Sequence, residues 1–91
     1  MATVTRAQAE SALRKFKIRY ARDLQNVPAD SPSQPKVYEP GFHADGWVIA
    51  WEGGPEDWSV RVSEPAEYGG LDLGKLRLEP LNNWSVGIYR R

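Results

Sequence analysis

The chain contains one histidine, His43, in the run Gly41-Phe42-His43-Ala44-Asp45. A histidine near a carboxylate can pass protons near neutral pH. Nothing in the sequence completes a catalytic set around it. There is no cysteine, no second histidine and no glycine-framed serine elbow, so neither a nucleophile nor an oxyanion donor can be assigned. A loop histidine in a non-enzymatic protein is the expectation.

Three carboxylates, Glu52, Glu56 and Asp57, flank Gly53-Gly54-Pro55. If the residues on either side paired as a hairpin, Glu52 and Asp57 would stand opposite each other, where like charges are unfavourable unless a cation or a basic partner intervenes. The spacing is not that of a calcium loop, and exposed repulsion is screened by salt. Solvated carboxylates and no metal are therefore expected, and no motif calls for a cofactor. Pro32-Ser33-Gln34-Pro35 fits the minimal polyproline ligand, but Lys36 follows without a spacer and the segment reads as loop.

The remaining chemistry is electrostatic. Net charge is zero, yet residues 1–25 carry six basic side chains against two acidic ones, while residues 26–91 carry six against ten. Arg14, Lys15, Arg19 and Arg22 gather on one side of a helical segment, with Ile18 among them. An apolar residue ringed by cations resembles an interface anchor with a polar rim, which points to an acidic partner protein. Nucleic acid is the weaker alternative because the chain as a whole is neutral and its aromatic residues fall on presumed core faces.

These residues depend on the elements that carry them. Ala9, Leu13, Phe16, Tyr20 and Leu24 recur at helical spacing and predict an amphipathic helix over about 5–26. Thr5 and Gln8 form the sequence of a capping box, and Pro28 ends the helical region. Residues 27–46 hold four of the seven prolines and read as a connection, in which Lys36-Val37-Tyr38-Glu39 is a candidate edge strand.

From residue 47 to 91 the pattern becomes that of strands. Trp47, Ile49 and Trp51 alternate, and so do Trp58, Val60 and Val62, which predicts a hairpin pairing Trp51 with Trp58 and Ile49 with Val60. In the loop that follows, Tyr68 and Leu71 are the expected anchors. Leu76 and Leu78, then Trp84, Val86 and Ile88, predict a second hairpin. A three-residue loop, with Asn83 left-handed, would set Leu78 opposite Val86 and Leu76 opposite Ile88.

The expected fold is α+β: one domain over residues 1–91, with an N-terminal amphipathic helix packed on an antiparallel β-meander of four to five strands. Burying each large aromatic contributes about 2 to 3 kcal/mol, so a tryptophan-rich core suits so short a chain. The far side of the sheet, including Val48, Ala50, Ser59, Arg61, Ser63, Gly87 and Tyr89, would be an open face. Arg61 and Tyr89 are its candidate contacts, and Tyr89-Arg90-Arg91 has interface-type composition.

No stretch approaches the ~20 apolar residues of a membrane span, and the absence of cysteine suits a reducing cytoplasm. The stretch Gly46 to Trp58, together with Leu78-Glu79-Pro80 and Trp84 to Tyr89, resembles small uncharacterised proteins of actinobacteria and their phages. That resemblance implies a small cytoplasmic accessory protein without catalytic residues. The combined expectation is a regulatory or binding protein acting through Arg14, Lys15, Ile18, Arg19 and Arg22, with Arg61 and Tyr89 in second place. Self-association as a homodimer is the further alternative.

Overall fold

The computed structural model describes residues 3–91. Helix α1 spans Arg6–Arg19 and a short α2 spans Ala21–Leu24. The capping box is present: Thr5 Oγ1 accepts the Gln8 backbone N–H at 3.1 Å, and Gln8 Oε1 accepts the Thr5 backbone N–H at 2.9 Å. The expected helix is thus interrupted at Tyr20. Ala9, Ala12, Phe16, Tyr20 and Leu24 are buried in one stripe that runs through the break.

Four strands follow: β1 Lys36–Tyr38, β2 Val48–Ala50, β3 Leu76–Asn82 and β4 Ser85–Arg90. They form one antiparallel sheet in the order β1-β2-β4-β3, so the fold is α+β with a four-stranded sheet. Val37 pairs with Ile49, and Ile49 with Val86. The α-helices cover the face that carries Ile49, Leu76, Leu78, Val86 and Ile88, all buried.

Between β2 and β3 the chain forms helix α3, Trp58–Ser63, and a 3-10 turn, Ala66–Tyr68. The first expected hairpin is therefore replaced. Residues 58–62 alternate in type, but the helix buries Trp58, Ser59 and Val62 and leaves Val60 53% exposed. A run of six residues fits either period, and tertiary competition decides between them. Here β4 occupies the edge of β2 that Val60 was expected to fill. Trp51 N–H donates to the Trp84 carbonyl at 3.0 Å and Glu52 N–H to the Pro32 carbonyl at 3.0 Å, so the backbone beyond β2 is committed elsewhere.

The second hairpin forms with its register displaced by two residues. Leu78 pairs with Ile88 and Leu76 with Arg90, and a bulge lies between Pro80 and Asn82. An even displacement keeps every side chain on its expected face. The turn is closed by Asn82 Oδ1 accepting the Trp84 backbone N–H at 2.8 Å. Asn83 is not left-handed, since among the described residues only glycines have positive φ. Trp84 sits on this turn and is 37% exposed, outside the core where alternation placed it.

Candidate protein-binding surface

The aromatic cluster sets the geometry of the surface above it. Phe16 lies 4.9 Å from Trp51 and 6.0 Å from Trp58 between ring centroids, and the Trp51 and Trp58 rings are themselves 6.0 Å apart. Tyr20 stacks on Trp58 at 4.2 Å. The expected Trp51–Trp58 contact is therefore made, but from a strand end to a helix. Through it, α1 and α3 lie against the same core.

The five helix candidates divide into two groups. Lys15 Nζ donates to the Asp72 carbonyl at 2.9 Å, and Arg19 donates through Nη1 to the Gly69 carbonyl at 2.6 Å and through Nη2 to the Gly70 carbonyl at 3.2 Å. These two cations hold the 69–72 loop onto α1. Within that loop Gly70 packs against the Glu64 backbone, where an added Cβ would lie 1.5 Å from the Glu64 carbonyl oxygen. Arg14 and Arg22 are exposed and, among the described residues, meet no carboxylate within ion-pair distance. Ile18 is 74% exposed.

Arg61 is on α3, not on a sheet face, and pairs with Asp57 at 2.6 Å one turn earlier. The helix brings it to the α1 side of the molecule. Arg19 and Arg61 line one cleft of about 370 Å³ together with Tyr20, Glu64 and Tyr68. Burial raises the Tyr20 pKa, partly offset by the positive charge of Arg19. Tyr68, expected as a core anchor, is 73% exposed on this rim, while Leu71 is buried as expected. Tyr68 thus joins Val60 and Trp84 among the apolar residues whose pattern pointed inward and which lie at the surface.

Tyr89 is separate from this group. It lies on the sheet face away from the helices, half-buried, with the Arg77 guanidinium 5.2 Å from its ring centroid. That face is not open at its centre: Val48, Ser85 and Gly87 are buried. Ser59, Arg61 and Ser63, expected there, belong to α3. At the β1 side Tyr38 stacks on Phe42 at 5.5 Å, and the His43 ring meets Tyr38 edge-on at 4.4 Å.

His43 and Asp45 are both exposed on the loop between β1 and β2. Glu52 and Glu56 are exposed, and Asp57 is committed to Arg61. Among the described residues no group of three acidic, histidine or cysteine side chains could hold a metal ion. Gln34 and Pro35 are buried while Pro32 is exposed, so the second proline of the Pro32–Pro35 run is not presented to a polyproline-binding partner. No helix among the described residues is long and apolar enough to cross a membrane. No protein-family model, curated protein or solved structure matches this chain.

Proposed function

We propose that this chain is a small non-enzymatic binding protein that presents a basic surface with an apolar centre to an acidic partner protein, in the cytoplasm. The observation that carries it is Ile18. Leaving an isoleucine 74% exposed forgoes about 1.5 to 3 kcal/mol of burial, and helical spacing puts it one turn after Arg14 on α1, with the exposed Arg22 on the α2 that follows. Tyr68 and the Arg19–Arg61 cleft extend the surface with residue types enriched at interface centres. Lys15 and Arg19 serve chiefly to hold its loop. Accessory function in an actinobacterium or phage belongs to the same proposal and rests on the Gly46–Trp58 and Trp84–Tyr89 residues.

Nucleic acid is less favoured because the chain carries no net charge and, with Tyr20 buried, Tyr68 is the one exposed ring lining the Arg19–Arg61 cleft. The test compares the wild type with an Ile18→Asp, Arg22→Glu double variant, which spares the Lys15 and Arg19 tethers. Each is immobilised and exposed to lysate of the native host, and captured proteins are quantified by mass spectrometry. An acidic protein whose capture falls about tenfold or more in the variant, and falls with added salt, supports the proposal. Identical capture by both proteins removes it.

A further inference from the structure

The end of the sheet where β2 begins and β4 finishes carries a second cleft, of about 830 Å³, which shares no lining residue with the Arg19–Arg61 cleft. Its volume lies within the range of small-molecule sites, roughly 300 to 1,000 Å³. Trp47 and Tyr89 form its aromatic walls, Val4 adds apolar surface, and Arg90 and Arg91 supply charge. Trp47 belongs to the helix side of the sheet and Tyr89 to the outer side, so the cleft wraps the sheet end.

Both rings are held in place by contacts within the chain. Trp47 Nε1–H donates to the Val4 carbonyl at 2.8 Å, and the Arg6 guanidinium lies 5.1 Å from the Trp47 ring centroid. The Tyr89 ring rests on Gly87: a Cβ there would fall 2.7 Å from Cε2 and 2.8 Å from the hydroxyl oxygen. Only glycine lets the ring lie down on the sheet. The backbone at the strand end is fixed as well, since Arg90 pairs with Leu76 and Arg91 N–H donates to the Lys75 carbonyl at 2.8 Å. A preformed site of this kind loses little conformational freedom on binding.

Charge selects the class of ligand. Among its side chains the lining carries Arg77, Arg90 and Arg91 against one carboxylate, Asp45. Arg77 is occupied by Glu79 and by the Tyr89 ring. Among the described residues neither Arg90 nor Arg91 meets a carboxylate within 4 Å. Two unpaired guanidinium groups beside fixed aromatic walls complement a flat apolar body bearing a negative group. We infer that this cleft binds small organic anions with an aromatic body, the ring lying against Trp47 and Tyr89 and the carboxylate, sulfonate or phosphate meeting Arg90 and Arg91.

The probe is anilinonaphthalene sulfonate, titrated into the folded wild type and followed by its fluorescence and by amide chemical shifts. Saturable one-site binding is expected, with shifts concentrated at residues 45–47 and 88–91. N-phenylnaphthylamine, which keeps the rings and lacks the charge, should bind about tenfold more weakly or less. The Arg90→Glu, Arg91→Glu variant should lose a similar factor with an unchanged melting temperature. Gly87→Ala, which turns the Tyr89 ring away from the sheet, should weaken binding while leaving the charges in place. Absent or unsaturable binding, shifts centred elsewhere, or equal affinity for the neutral probe would each overturn the inference. Failure here leaves the helix surface untouched, because Ile18 and Arg22 take no part in this cleft.

Discussion

The Tyr20 ring lies stacked on the Trp58 indole, with centroids 4.2 Å apart and planes 16° from parallel. This contact joins the break between α1 and α2 to the first turn of α3. It also explains why residues 58–63 form a helix. As a helix they send Trp58 and Val62 into the core together and turn Arg61 outward beside Arg19. As a strand they would need the edge of β2 that β4 already occupies.

Helix and strand make opposite predictions for Val60. On α3 it faces solvent, so Val60→Lys should change stability by no more than about 0.5 kcal/mol. Val62→Ala, at a fully buried position, should cost roughly 2 kcal/mol. Urea midpoints of the two variants decide the matter. A Val60→Lys protein that unfolds well below wild type would restore the strand.

The tethers from Lys15 and Arg19 should control the 69–72 loop more than the core. Arg19→Gln is expected to cost about 1 kcal/mol, because charge-assisted bonds to carbonyls are lost at a largely exposed position. Its local effect should be larger in proportion. The Gly69, Gly70 and Leu71 N–H groups, which donate to the Ala66, Pro65 and Val62 carbonyls, should exchange with deuterium faster than in the wild type. Unchanged exchange at those amides would mean that the loop does not need the tether.

Tyr20 gives stability a dependence on alkaline pH. Burial raises its pKa above the ordinary 10.0, so the native state holds the phenolic proton more tightly than the unfolded chain does. Its contribution is therefore complete below about pH 10 and is lost as pH rises from there through the raised native value. Tyr20→Phe cannot ionise and should lack that part of the decline. Urea midpoints measured across the alkaline range check this, and parallel decline in both proteins would contradict the burial of the hydroxyl.

Much of the fold is legible in local sequence because its causes are local. Thr5 and Gln8 cap α1 through bonds three residues apart, and the Ala9–Leu24 stripe needs only helical spacing to be seen. Leu76, Leu78, Val86 and Ile88 keep their face through a register displaced by two residues because side chains alternate with period two. Val37 pairs at the sheet edge, as the strand propensity flanked by prolines implied.

The candidate surface was only partly legible. Ile18, Arg14 and Arg22 can be located from helical spacing alone. The tethering of Lys15 and Arg19, and the joining of Arg19 with Arg61, depend on residues about 40 to 60 positions apart meeting in space. No spacing rule reports such a meeting.

By itself the sequence determined the buried stripe of α1, the inward face of Leu76, Leu78, Val86 and Ile88, where α1 starts, and that the charge is divided between the N-terminal segment and the rest. Tertiary structure alone decided the state of residues 58–63, whose alternation suits a strand and whose burial suits a helix. The physical reason is competition for one sheet edge: Val86 pairs with Ile49 there, and Trp58 meets Phe16, Tyr20 and Trp51 from a helix instead. That choice carries Arg61 from a sheet face to the side of Arg19.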